Sequence, residues 1–149
     1  MSETGTVSTT DLGEQHAILA QDYAAQWMGI EVDAVREGHA TISMVVRKDH
    51  LNGFGIAHGG MVFALADTAF AMACNPPEGS PDTITVASGV DINFLKPGLP
   101  GRVLTAVADR RSQSGRSGLY DIQVLQSLPD GGTEVVAEFR GRSRTIPKR

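Results

Sequence analysis

The amino-acid sequence predicts an α+β domain in which an antiparallel sheet is covered by one long apolar helix. Two observations carry this. The segment from about Gly60 to Asn75 is apolar on nearly every side, so it must be buried on nearly every side. After it the apolar period changes to two, and four strand-like segments follow with short, turn-rich links. Such a run makes an antiparallel sheet with one face in need of a cover.

From about Asp11 to Met28 the residues Leu19, Tyr23 and Trp27 recur every four positions, which predicts a helix with Gly29 as its stop. Ile30 to Val35 and Ala40 to Val46 read as two strands joined by a hairpin turn at Arg36-Glu37-Gly38-His39. Asn52-Gly53-Phe54-Gly55 is a loop by composition. The long helix follows and is stopped by Pro76-Pro77. Ile84, Val86, Val90, Ile92 and Phe94 then lie on one side of a long strand ending at Lys96-Pro97-Gly98. Val103 to Asp109, Leu119 to Leu125 and Val135 to Ser143 complete the strands, with turns over Ser114-Gly115-Arg116-Ser117-Gly118 and Pro129-Asp130-Gly131-Gly132.

The chain has 149 residues, 41% of them hydrophobic and 20% charged, enough for one domain with its own core and not for two. The expected layout is a disordered polar tail over residues 1–10 and a single domain over 11–149. A net charge of −4 argues against a nucleic-acid partner, which would need a concentrated positive face. Cys74 stands alone, can form no intrachain disulfide, and reads as a small core residue. No apolar run reaches the roughly 18 residues of a membrane span, and the N-terminus lacks the build of a signal peptide. The expected location is the cytoplasm. Acidic residues dominate up to Gly38, whereas Arg140, Arg142, Arg144, Lys148 and Arg149 make the end basic. That basic end is either a solvated strand face or a rim for an anionic small ligand.

Asp67 is the anomaly. It sits in the middle of the long helix, too far in to cap its start, and its helical neighbours Phe63, Ala64, Phe70 and Ala71 offer it no partner. Burying an unpaired carboxylate costs several kcal/mol. Either a donor from elsewhere in the fold satisfies it, or it is a catalytic base or nucleophile at the mouth of an apolar pocket. Thr68 beside it can bond back to its own helix.

His58-Gly59-Gly60 leads straight into the same helix. Helix starts present unpaired amides and a positive dipole end, and glycine lets a ligand oxygen approach the backbone. An oxyanion hole needs those properties. His58 could serve as a base, a carbonyl orienter or only a loop histidine. His16, His39 and His50 have no partners at metal-ligand spacing, so no metal is expected. Neither a nucleophile-elbow Gly-x-Ser-x-Gly nor a phosphate-binding Walker loop occurs.

Asn52-Gly53 with His58-Gly59-Gly60, then Leu65-Ala66-Asp67-Thr68-Ala69-Phe70-Ala71, then Asp91-Ile92-Asn93-Phe94-Leu95-Lys96-Pro97-Gly98, resemble the hotdog-fold acyl-CoA thioesterases. Within them they are similar to the PaaI branch, the phenylacetyl-CoA thioesterases of phenylacetate catabolism. Tyr120-Asp121 and Phe139-Arg140-Gly141 extend the likeness to roughly Gly29–Ile146. The resemblance implies a long helix wrapped by an antiparallel sheet, in homodimers that pair into homotetramers, with active sites between subunits. It implies hydrolysis of an acyl-CoA, phenylacetyl or hydroxylated aryl-acetyl, with no cofactor beyond the coenzyme A of the substrate. Asp67 would be the base or nucleophile and the Gly59 amide would polarise the thioester carbonyl, with His58 and Asn52 positioning substrate or water. Gly60, Thr68 and Phe63 would border the substrate. Coenzyme A would run near Lys96 and the turn holding Arg111, Ser114, Gly115, Arg116 and Ser117. Ala87 stands where some relatives place a water-orienting serine or threonine.

Two rival functions fit the same fold. Acyl-thioester dehydratases or hydratases resemble His-Phe-Pro-Gly or Gly-Asp-x-Asn-Pro-x-His patterns, and neither is present. A non-catalytic acyl-CoA-binding module would bind without releasing free thiol.

Overall fold

The computed structural model describes the backbone from Thr9 to Arg149 and side chains from Leu12 onward. Residues 1–8 of the expected disordered tail lie outside the described residues, and Thr9 and Thr10 already belong to the first helix, α1 (Thr9–Gln15).

The single helix expected over residues 11–28 is three short pieces: α1, a 3-10 turn at Ala17–Leu19, and α2 (Tyr23–Met28). Polar side chains break it. His16 takes extended backbone and its Nδ1 accepts the Ile18 N–H, while the Asp22 carboxylate accepts the Ala25 N–H at 2.9 Å and starts α2 afresh. Local capping thus outcompetes continuation. Gly29 does end α2, at φ +79°. The four-residue spacing therefore marks no common buried face: Leu19 is buried, but Tyr23 and Trp27 are 69% and 50% exposed.

The strands are β1 (Glu31–Arg36), β2 (His39–Val45), β3 (Thr83–Phe94), β4 (Val103–Ser114), β5 (Ser117–Ser127) and β6 (Thr133–Pro147). They form one sheet in the order β1-β2-β4-β5-β6-β3, with every neighbouring pair antiparallel. The long helix α3 (Gly59–Cys74) carries the chain from β2 to β3 at the far edge. Its Val62, Leu65, Ala66, Ala69, Phe70, Met72 and Ala73 are buried with Ile42 and Met44 of β2, Leu104 and Ala108 of β4, Tyr120 and Ile122 of β5, and Phe139 of β6. Each fully buried large side chain contributes roughly 1.5–3 kcal/mol by leaving water. The helix lies close on the sheet at Gly141, where a Cβ would stand 2.7 Å from the Phe70 ring.

The end of α3 is clamped. Buried His16 presents Nε2 at 2.9 Å from the Met72 carbonyl and 3.1 Å from that of Asn75. Asn75 in turn donates to the Ala71 and Thr85 carbonyls and accepts the Thr85 N–H. A helix so anchored is a rigid mount for whatever side chains it carries.

Two details depart from the sequence expectation. The apolar row of β3 is only partly packed: Val90 and Ile92 lie against the core, whereas Ile84 and Val86 are each 38% exposed and Phe94 54%. β3 is an edge strand, and a bulge between Ala87 and Gly89 shifts its register against β6. The β4–β5 turn is also tighter than the five residues expected. Ser114 pairs with Ser117, leaving only Gly115 and Arg116 between strands. Gly115 at φ +57° takes the first central position, which the tight hairpin turn reserves for glycine.

Candidate active site

The surface of α3 divides into two stripes. One is the buried set that meets the sheet. Along the other, Phe63, Ala64, Asp67, Thr68, Ala71 and Cys74 are only half-buried. Asp67 stands in the middle of that second stripe. Among the described residues its carboxylate takes part in no hydrogen bond or ion pair, and burial alone pushes its pKa above the ordinary carboxylate range. The satisfying donor allowed for in the sequence is absent among the described residues. A carboxylate that is partly desolvated and unpaired holds a proton more readily, and so is a stronger base, than one in water. Thr68 is committed elsewhere: its hydroxyl donates to the Ala64 carbonyl at 2.7 Å. Burial also pushes the Cys74 thiol up to about 12, which leaves it unreactive though only half-buried.

At the helix start the amides can be accounted for singly. His58 is the N-cap: its Nδ1 accepts the Gly60 N–H at 2.9 Å, and its carbonyl accepts those of Met61 and Val62. Its own N–H donates to the His50 carbonyl at 2.8 Å. The Gly59 N–H is left without a partner among the described residues. An uncommitted amide at the positive end of a 16-residue helix is a donor ready for a developing negative charge. Because His58 Nδ1 accepts, Nε2 is the ring atom left to donate.

Asn52 organises the loop before the helix. Its Oδ1 accepts the N–H groups of Phe54 (2.9 Å) and Ile56 (3.3 Å), closing an Asx-type turn. Below that loop lies a cavity of about 130 Å³ lined by Asn52, Ile56, Ala57, Gly59, Val62, Phe94, Lys96, Pro97, Gly98 and Val136. It gathers three of the sequence candidates, Asn52, Gly59 and Lys96, but not Asp67. It also takes in Phe94, which the strand pattern marks only as one more apolar strand residue. The available signal is its place two residues before Lys96 at the strand's end. Phe63 points elsewhere, edge-on to Phe139 with ring centroids 5.5 Å apart, and the Gly60 amide is spent on the cap.

The candidates for the coenzyme lie apart. Ser114 and Ser117 line a separate cavity of about 310 Å³ with Ser88, Ser112, Arg142 and the buried Ser143. Gly115 and Arg116 form the exposed turn beside it. Arg111 is on the outer face of the sheet, where its Nε donates to Asp121 at 3.0 Å. Arg140 donates to both oxygens of the same carboxylate, at 2.6 and 2.8 Å. Arg140 first, then Arg111, holds the Asp121 carboxyl below its ordinary range. Lys96 approaches Glu134 at 3.5 Å and Arg142 approaches Asp91 at the same distance. The basic end of the chain is thus partly neutralised within the fold. Among the described residues no group of three or more His, Cys, Asp or Glu could hold a metal, and no helix is long and apolar enough to cross a membrane.

Comparison with known proteins assigns the family. The profile of the thioesterase superfamily matches residues 54–128, which include the helix start and Asp67. Over 131 residues the chain is 42% identical to the acyl-coenzyme A thioesterase PaaI of Escherichia coli K12, covering 88% of each chain. It superposes on the structure of the E. coli PaaI protein from the phenylacetic acid degradation operon with a TM-score of 0.79 and 38% identity, over 95% of this chain and 96% of that one. A mutant of the phenylacetic acid degradation protein PaaI of Thermus thermophilus matches with a TM-score of 0.72 and 32% identity, over 83% of this chain and 98% of that one. By sequence and by architecture alike, the chain belongs to the thioesterase superfamily and has its hotdog fold.

Proposed function

We propose that this thioesterase hydrolyses acyl-coenzyme A esters, phenylacetyl-CoA or its ring-hydroxylated analogues, to the free acid and coenzyme A in the cytoplasm. The observation that carries the reading is the unpaired, half-buried Asp67 carboxylate on the open stripe of α3. The identity to an acyl-CoA thioesterase over most of both chains supports the reaction class. A thioester is an activated acyl group, so its hydrolysis calls for a placed base, a polarised carbonyl and excluded bulk water. In this reading Asp67 acts as base or nucleophile, the Gly59 amide receives the carbonyl oxygen, and His58 and Asn52 order the surroundings. Lys96, Ser114, Ser117 and the turn of Gly115 and Arg116 meet the coenzyme, with Arg111 at the periphery.

Asp67 and Gly59 lie eight positions apart on α3, a rise of roughly 12 Å. An attacking group must come within about 3–3.5 Å of the thioester carbon while the amide donates to the oxygen bonded to it. A single helix therefore holds the two too far apart for direct attack on the same thioester. The reading takes two copies, each giving its Asp67 to the other's Gly59 in a homodimer, and the family likeness extends this to dimers paired into a homotetramer. The open stripe of α3 and the apolar edge strand β3 supply surfaces for such contacts.

The test is Asp67→Asn, assayed by thiol release from phenylacetyl, hydroxyphenylacetyl, benzoyl and medium-chain acyl-CoAs. Turnover should fall by about a hundredfold or more while the helix content and acyl-CoA binding persist. Undiminished hydrolysis by the variant would refute the role of Asp67. Binding without turnover by the unmodified protein across the series would refute the activity.

A further inference from the structure

Phe94 is oddly placed for a packing residue. It ends the edge strand β3, faces the small Ala137 across the ladder, and remains 54% exposed. Its ring nevertheless has a definite target. From the point where a Cβ on Gly59 would stand, the nearest atoms are Cζ at 3.5 Å, Cε1 at 3.7 Å and Cε2 at 3.9 Å of Phe94. Three such similar distances place the face of the ring, at its Cζ end, over the residue whose amide is uncommitted. It also walls the 130 Å³ cavity that holds Gly59, Asn52 and Lys96.

We propose that Phe94 is a positioning residue for the thioester carbonyl: its ring covers Gly59, keeping water from that side of the uncommitted amide and so strengthening its hold on the carbonyl oxygen. The inference rests on the hydrolase reading above. One physical effect supports it. An amide donates more strongly to a developing charge where bulk water is kept out. That effect does not require Phe94 to exchange a proton or form a bond.

The experiment compares Phe94→Ala and Phe94→Leu with the unmodified chain on phenylacetyl-CoA and one short aliphatic acyl-CoA. Thermal melts and circular dichroism of the same samples fix the folded fraction. Phe94→Ala should lower kcat on the order of tenfold per folded molecule, a part of the hundredfold to thousandfold an oxyanion donor supplies, with a smaller change in KM. Phe94→Leu should recover part of the loss by restoring apolar cover over Gly59. Unchanged kcat in Phe94→Ala, a change in KM alone, or a loss that tracks only the folded fraction would each overturn the proposal. Asp67→Asn run alongside separates the two levels: if it is inactive while Phe94→Ala is normal, only the role of Phe94 fails. If the unmodified chain releases no thiol, the hydrolase reading and this inference fail together.

Discussion

Asp67 on α3 and Asp121 on the outer face of the sheet are the same residue type in opposite circumstances. Asp121 accepts three hydrogen bonds from Arg140 and Arg111, and they hold its carboxyl below the ordinary range. Asp67 has no partner among the described residues, and burial drives it the other way. A carboxylate satisfied by two guanidiniums is a weak base whose energy is spent on its neighbours. One stripped of partners is a strong base whose cost the fold must carry. The contrast identifies which of the two is equipped for chemistry, and it can be challenged from both sides.

The largest expected effect is on Asp67. Beyond lowering turnover, Asp67→Asn should remove from the residual rate the acidic limb of the pH–rate profile, which should lie above the ordinary carboxylate range because the base must be ionised to act. The stability sign follows from linkage. A folded pKa raised above the unfolded one favours the folded state at low pH, and that contribution is lost as pH rises through the folded value. At neutral pH ionised Asp67 therefore opposes folding, and Asp67→Asn should melt no lower than the unmodified chain. A melting temperature that drops sharply would mean Asp67 is a structural partner after all.

Next comes the helix start. Gly59→Pro removes the uncommitted amide at a helical position that tolerates proline, while its ring also meets Phe94, 3.5 Å from the Cβ position. His58 already holds the extended backbone, φ −59° and ψ 134°, that a following proline demands. Loss of one oxyanion donor should cost about a hundredfold to a thousandfold in kcat with helix content preserved by circular dichroism. Normal turnover would show that the amide plays no part.

The buried stripe of α3 should answer in stability and not through catalytic groups. In Gly141→Ala the new methyl would lie 2.7 Å from the Phe70 ring, and overpacking of this kind typically costs about 1–3 kcal/mol. A chemical melt should record that loss, and an unchanged midpoint would show the helix free to move off the sheet. The smallest effect belongs to the other half of the comparison. Asp121→Asn should cost at most about 1 kcal/mol, as ion pairs on a surface usually do. Its sign is opposite to that of Asp67: a depressed folded pKa gives stability that is present above the ordinary carboxylate range and lost as pH falls through the folded value. The variant should flatten the acid side of the stability curve and leave turnover intact.

Much of this is legible in the chain itself. The apolar run with one charge in it marks α3 and Asp67, because neither burial nor helical spacing needs a tertiary contact to be read. Period-two segments with glycine-rich turns mark the antiparallel sheet for the same reason. The N-terminal region escapes such reading because the contest there is local but close: His16 and Asp22 cap short pieces more favourably than one helix would continue. Only the tertiary structure decided that β3 lies at the sheet edge, that His58 spends its Nδ1 on Gly60 while the Gly59 amide stays uncommitted, and that Phe94 abuts Gly59. Pattern along a chain reports which residues avoid water. Which donors are left unspent depends on partners brought together from distant positions, and that is settled only when the chain has folded.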